Sequence, residues 1–168
     1  MGHYRQPLDF STEALEQAKA TLDKWYGALR PVQIKALNIE LYQLPLDTVF
    51  YQLLRDDLNT PTAIAAVHEM VGGLNRATHS EEQTRMAKQV LFAGRELGVL
   101  YQDPEAWFKW QPANQSGPTD AEIEMQIAAR LAARKAKNFA EADRIRDALA
   151  AQGVILQDGA GGTTWRRG

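Results

Sequence analysis

The stretch that decides the fold runs from residue 119 to residue 167 and reads TDAEIEMQIAARLAARKAKNFAEADRIRDALAAQGVILQDGAGGTTWRR. Thr119 is followed three residues later by Glu122, and this spacing is typical of a capping box that opens a helix. Asn138 and Glu141 repeat the pattern, so a second helix is expected to begin directly after the first one ends. Two helices joined by so short a connection predict a helical hairpin.

Apolar residues follow both capping signals at helical spacing. The expected inward rows are Ile123, Ile127 and Leu131 in the first helix and Phe139, Ala142, Ile145 and Leu149 in the second. Residues 154–157 and 163–166 are rich in strand-forming side chains, and the glycine-rich residues 158–162 between them are typical of a hairpin turn. Residues 119–168 are therefore predicted to form a small domain of a helical hairpin plus a β-hairpin.

Amphipathic helices are also expected over residues 11–110, after an extended lead-in of residues 1–10. Their predicted starts are Ser11, Asp47, Thr60 before Pro61, the capping box Ser80–Gln83, and a short turn at Asp103. Residues 32–45 are apolar without a clear period and receive no assignment. The fold class is thus mainly α, with an antiparallel helical bundle ahead of the small C-terminal domain.

Residues 111–118 separate the two predicted domains. Their sequence, QPANQSGP, holds two prolines, no charge and no large apolar side chain. This composition is typical of a linker, and the domain boundary is placed there.

Composition excludes several classes of protein. Of the 168 residues 45% are hydrophobic and 24% are charged, which are ordinary values for a folded chain and argue against general disorder. Apolar runs are only a few residues long, so no membrane span is expected, and no secretory signal opens the chain. Cysteine is absent, which removes disulfides and thiolate chemistry and favours a cytoplasmic protein.

The usual signatures of catalysis are missing from the sequence. The three histidines, His3, His68 and His79, do not form an i, i+4 pair, and neither a glycine-rich phosphate loop nor a nucleophile elbow occurs. Asp56 and Asp57 are adjacent on a helix, where their side chains point about 100° apart, so solvation of a helix corner is favoured over shared chemistry. No catalytic, cofactor or metal site is predicted.

The end of the chain has a different charge pattern, since residues 130–168 carry eight basic and four acidic side chains. Arg134, Lys135 and Lys137 lie beside Phe139. Acidic residues follow at Asp143, Asp147 and Asp158. A solvated helix face would explain part of this pattern. Single-stranded RNA is read by the same combination, because rings stack on splayed bases while carboxylates and guanidinium groups bond the base edges.

Several of these stretches resemble the C-terminal end of bacterial cysteinyl-tRNA synthetases. The similarity is carried by residues 132–143 (AARKAKNFAEAD), 151–159 (AQGVILQDG) and 162–167 (GTTWRR). Further matches are residues 3–10 (HYRQPLDF) and the corner at 56–61 (DDLNTP), in the order in which the family has them. The likeness therefore covers nearly the whole chain.

The resemblance implies a noncatalytic fragment of a cysteine–tRNA ligase. The ATP and zinc sites of that family belong to a catalytic domain that is absent here, so the chain alone is expected to be inactive and to bind no cofactor or metal. Its implied partners are the tRNA for cysteine and that catalytic domain, with neither DNA nor a membrane among them. The bundle would orient the inside of the tRNA bend, and the C-terminal domain would read the anticodon.

The resemblance also implies residue roles. Arg134, Asp143 and Asp158 match readers of a GCA anticodon, and Phe139 takes a stacking position where tryptophan is common. Further basic residues are expected on the tRNA backbone: Arg130, Lys135, Lys137, Arg166 and Arg167. Trp165 is expected to pack over the helix pair.

A rival interpretation of the chain is a protein-interaction bundle. Its contacts would be made by the aromatic side chains Trp107, Phe108 and Trp110, together with the apolar helix faces. Exposed apolar surface of this kind is typical of protein interfaces.

Overall fold

The computed structural model describes residues 10–32, 34, 37, 45, 48–112, 117–159 and 161–168. Seven α-helices and two β-strands lie within these ranges, so the prediction of a mainly helical chain is confirmed. Four predicted parts of the chain lie outside the described residues: the first nine residues of the lead-in, most of residues 32–45, the cap Asp47 and half of the linker. No helix among the described residues is both long and apolar enough to cross a membrane.

The chain divides into two compact units, Met1–Pro104 and Glu105–Gly168. Helices of the first unit are α1 (Thr12–Leu29), α2 (Val49–Arg55), α3 (Thr60–Arg76) and α4 (Ser80–Glu96). The next helix, α5 (Pro104–Lys109), begins at the division. The second unit also holds α6 (Asp120–Lys135), α7 (Phe139–Ala151), β1 (Val154–Gly159) and β2 (Gly162–Arg167).

Helix α3 is the centre of the first unit and packs against α1, α2 and α4. Its buried residues Val67, Val71 and Leu74 follow one another at three- and four-residue steps, so they lie on one face of the helix. A close approach joins α4 to the turn behind it, because a Cβ on Gly94 would lie 2.4 Å from Leu100 Cδ1. Only glycine leaves Leu100 room to be buried there.

The helix starts of the first unit were predicted with mixed success. Ser11 caps α1 as expected, its Oγ accepting from the Ala14 N–H at 3.2 Å. The cap of α3 is Asn59 rather than Thr60, and its Oδ1 accepts from the Thr62 N–H. The prediction of a capping box that begins at Ser80 is wrong, because Ser80 is already helical and His79 is the cap residue.

The second unit follows the predicted order of helical hairpin and β-hairpin. The Thr119–Glu122 capping box is present in full, and Asn138 caps α7. Strands β1 and β2 pair antiparallel, with Leu156 opposite Trp165 and Asp158 opposite Thr163. The strands therefore extend further than predicted, and Asp158 lies on a strand instead of in the turn.

A core of six buried residues lies between the helices and the hairpin of the second unit: Ile123, Ile127, Ile145, Leu149, Val154 and Trp165. Trp165 is 1% exposed, which confirms that it packs over the helix pair. Leu131, predicted to point inward, is exposed, and its neighbour Arg130 is buried in its place.

Helix α5 lies mostly in the second unit and precedes residues 111–118, where the sequence predicts a linker. The Arg167 Nε–H donates to the Lys109 carbonyl, and Lys109 Nζ lies 4.8 Å from the centre of the Trp165 ring. These contacts connect α5 with the end of the chain. They form between residues far apart in sequence, so the local composition could not predict them.

Candidate nucleic-acid interface

Asp158 is the centre of a charged cluster in the second unit. Its partner across the hairpin, Thr163, donates a hydrogen bond from Oγ1 to Asp158 Oδ1 at 2.6 Å. In a strand, alternate side chains share one face, so Asp158 lies on the same face as Val154, which is in the core. The strand register therefore directs this carboxylate towards the helical hairpin.

Arg130 of α6 meets Asp158 with both ends of its guanidinium group. Nη1 donates to Oδ1 at 2.9 Å and Nη2 donates to Oδ2 at 2.8 Å. Such a bidentate pair fixes the orientation of the carboxylate as well as its position. Arg130 is only 6% exposed, so it holds Asp158 from the inside of the unit.

Arg134 lies one helical turn after Arg130 and reaches the same carboxylate from the solvent side. Its Nη1 donates to Asp158 Oδ2 at 3.1 Å, and its side chain is 47% exposed. The two arginines share one face of α6 because residues four apart in a helix are neighbours. A half-exposed ion pair of this kind contributes little net stability, so replacing it costs little free energy.

The hydrogen bonds keep Asp158 charged. The pKa of its carboxyl group lies well below the usual range, chiefly because Arg130 and then Thr163 donate to the ionised form. The positive charge of Arg134 acts in the same direction. Asp158 is thus an acceptor at any physiological pH.

A pocket of about 250 Å³ opens beside this cluster. Its lining residues are Arg130, Arg134, Phe139, Ala142, Asp143, Arg146 and Asp158. The four residues predicted to read an anticodon are all among them. The structure brings these residues together from α6, α7 and β1.

Phe139 stands at the start of α7, directly after the cap residue Asn138. It is 61% exposed, although its place in the apolar row had predicted burial. A flat ring at the edge of a charged pocket is the feature on which an unpaired base stacks.

Arg146 was missed by the sequence analysis. It lies seven residues after Phe139 and three after Asp143, so all three share one face of α7. Its Nη1 lies 3.5 Å from an oxygen of Asp143, and its Nε donates to Asp147 at 3.3 Å. The helical spacing from Phe139 was the signal that would have found it.

The residues expected on an RNA backbone lie in different environments. Lys135 and Lys137 are exposed at the junction of α6 and α7, and Arg166 is half-buried on β2. The guanidinium group of Arg167 donates to the Pro118 carbonyl at 3.1 Å and to Asp120 at 2.7 Å. Arg130 is likewise occupied by Asp158 instead of facing solvent.

No metal site emerges from the described part of the chain. Within it, no group of three or more histidine, aspartate or glutamate side chains is arranged to hold an ion. The lining of the pocket places carboxylates and guanidinium groups beside one aromatic ring.

Two family models match the chain. The model described as the DALR domain matches residues 49–100, and the model described as the cysteinyl-tRNA ligase anticodon binding domain matches residues 117–166. The second range contains every residue that lines the pocket.

Curated relatives match almost the entire chain. A protein of Paramagnetospirillum magneticum named cysteine–tRNA ligase is 55% identical over 166 residues, which are 99% of this chain and 36% of the relative. Proteins of the same name from Parvibaculum lavamentivorans and Rhodospirillum rubrum are 49% and 43% identical, over 98% of this chain and 34% and 35% of their own lengths. The chain thus spans about a third of the length of these relatives.

Proposed function

We propose that this chain is part of a cysteine–tRNA ligase and that the pocket on α6, α7 and β1 reads the anticodon of the tRNA for cysteine. Residues 117–166 match the model described as the cysteinyl-tRNA ligase anticodon binding domain, and relatives named cysteine–tRNA ligase match almost the entire chain. The observation that carries this proposal is the convergence of Arg134, Phe139, Asp143 and Asp158 on one pocket. Acids inside a basic patch oppose nonspecific phosphate binding and suit the reading of base edges.

The proposed roles follow from what each side chain offers. Asp143 has a carboxylate that is 62% exposed, with Arg146 at 3.5 Å, so its oxygens are available to the N1–H and amino group of guanine. Arg134 and Arg146 donate to acceptors on the bases, and Phe139 stacks. Lys135, Lys137 and Arg166 are assigned to phosphates, while Arg130 and Arg167 are assigned to holding the protein side of the site.

We assign tRNA recognition to this chain and cysteine activation to a separate catalytic domain. The ATP and zinc chemistry of the family would then belong to a catalytic domain that is a partner of this chain, in the cytoplasm. The support for this division is that the chain spans about a third of its relatives. ATP–pyrophosphate exchange measured on the 168-residue chain is expected to stay at background, and a cysteine-dependent signal would overturn the division.

Filter binding tests the proposed function with a transcript of the tRNA for cysteine and three transcripts, each with one anticodon base replaced. Arg134→Ala is expected to weaken binding of the matched transcript and reduce discrimination at one position. Its matched control is Lys135→Ala, which should weaken all four transcripts alike and lower the salt dependence by about one released counterion. Uniform loss in both variants would show that Arg134 contacts only the backbone.

The stacking role of Phe139 has a separate test in the same assay. Phe139→Ala is expected to cost about 1–3 kcal/mol of binding free energy on every transcript, since stacking tolerates all bases. Phe139→Trp should retain or strengthen binding, because the larger ring keeps the π-face. Unchanged binding by Phe139→Ala would remove stacking from the proposal.

The rival role as a protein-interaction bundle has less support among the described residues. Of its three aromatic side chains, Phe108 is buried and only Trp110 is largely exposed. A chain that binds all four transcripts alike and weakly would favour this rival.

A further inference from the structure

The Asp158 carboxylate already has as many hydrogen bonds as it accepts. Its two oxygens offer about four acceptor sites. Oδ1 accepts from Arg130 and Thr163, and Oδ2 accepts from Arg130 and Arg134. A base that donates to Asp158 therefore has to replace one of these donors.

The donors differ in how easily they are replaced. Arg130 is buried and bonds both oxygens at once, and Thr163 lies directly across the hairpin at 2.6 Å. Arg134 makes one bond, the longest of the four at 3.1 Å, and its side chain is about half exposed. Arg134 is thus the donor that a base can displace most easily, and this displacement exposes Oδ2.

We propose that Arg130 and Thr163 are positioning residues that hold Asp158 in one orientation, so that Oδ2 is offered to an amino group of an anticodon base when Arg134 moves aside. This inference rests on the proposed function. Neither residue touches the base. Their effect is to remove the rotational freedom of the carboxylate before binding, which lowers the ordering cost of recognition.

The geometry favours positioning over simple stabilisation. Compared with a pair of apolar side chains, an ion pair with a buried member adds little stability, because desolvation offsets most of the attraction. A bidentate pair together with a third bond to the same carboxylate leaves it a single orientation. Discrimination between bases depends on that orientation, whereas a purely structural contact would affect all tRNAs equally.

Thr163→Val is the most direct test, since it removes the hydroxyl group and keeps the branched shape. The matched control is Thr164→Val, whose residue lies on the other face of β2 and is exposed. With the full chain and the four transcripts, Thr163→Val should lower discrimination at a single anticodon position about three- to tenfold. Thr163→Ser should restore it, and Thr164→Val should leave all four affinities unchanged.

Arg130→Lys separates charge from geometry, because lysine keeps the charge and loses the bidentate fork. It is expected to lower discrimination at the same anticodon position by about tenfold. In both variants the Asp158 carboxyl group, followed by carbon NMR, should titrate at a higher pH than in the wild type. If Arg130→Lys fails to fold by circular dichroism, the Thr163 variants decide the question.

The outcomes distinguish a failure of the proposed function from a failure of this inference alone. A wild-type chain that binds all transcripts alike overturns the proposed function and this inference with it. Wild-type discrimination that survives Thr163→Val, or falls equally at all three positions, overturns the inference alone.

Discussion

The two compact units differ in what surrounds their cores. In the first unit, Gly73 of α3 lies close to Met86 of α4, and Gly94 of α4 leaves room for Leu100 in the turn that follows that helix. In the second unit a core of six residues borders the cluster of Arg130, Arg134 and Asp158. In the second unit, paired charges thus lie next to a small apolar core, and the same charged residues form the candidate binding site.

The largest expected effect is in the core of the second unit. Trp165→Ala should lower the free energy of unfolding by about 3–5 kcal/mol, because a buried ring is lost and a cavity remains. The bond from Trp165 Nε1 to Glu124 at 2.7 Å is lost with it. Trp110→Ala, at an exposed ring, is the control and should change stability by less than about 0.5 kcal/mol in urea unfolding. Equal losses would show that the second unit has no distinct core.

Gly94→Ala tests the close packing of the first unit. The added Cβ would lie 2.4 Å from Leu100 Cδ1, so a loss of about 1–3 kcal/mol is expected from overpacking. Gly72→Ala in α3 is the control, since the new Cβ would meet only the flexible end of Arg76 and alanine favours the helix. Thermal unfolding of both variants measures the difference, and tolerance of Gly94→Ala would contradict the packing argument.

Asp158→Asn tests the charged cluster through its pH dependence. The pKa of Asp158 is depressed in the folded chain, so its contribution is complete above the unfolded pKa of about 3.9 and is lost as the pH falls below it. Because solvent screens a carboxylate that is 46% exposed, the expected loss at pH 7 is about 1–2 kcal/mol.

Urea unfolding at pH 7 and at pH 3 checks this expectation. The gap between wild type and Asp158→Asn should narrow at the lower pH. Asp147→Asn, at an exposed carboxylate on α7, should differ from wild type by less than about 0.5 kcal/mol at pH 7. A gap that is equally large at both pH values would mean that the charge of Asp158 does not stabilise the fold.

The smallest expected effect is at the helix caps, where the two units should behave alike. Thr119→Ala removes a full capping box and Ser11→Ala a single cap bond, so each should cost about 1 kcal/mol, with Thr119 the larger. Chemical denaturation of the two variants measures both. A cost at Ser11 well above that at Thr119 would contradict the assignment of the box.

Local sequence signals predicted much of this fold because their causes are local. The caps Ser11, Thr119 and Asn138 bond to backbone groups three residues away, so the sequence contains both partners. The same reasoning failed at Ser80, where the helix begins one residue earlier with His79 as the cap residue. Helix ends are decided by packing as well as by the cap, so a good local pattern can be overruled.

The candidate site was predicted in part. Arg134, Phe139, Asp143 and Asp158 do meet at one pocket, and the missing member was Arg146. The burial of Arg130 was not foreseen, because a long charged side chain on a basic helix face is usually exposed. Its burial depends on Asp158, which lies 28 residues later in the chain.

By itself, the sequence determined the order and type of α6, α7, β1 and β2, since periodicity and capping act over a few residues. Only the tertiary structure decided that β1 places Asp158 between Arg130 and Arg134 of α6, and that α7 adds Phe139 and Arg146. The reason is physical: the strand register and the packing of the hairpin on the helices are fixed by burying Trp165 and its neighbours. The position of these apolar contacts determines which charged side chains can meet.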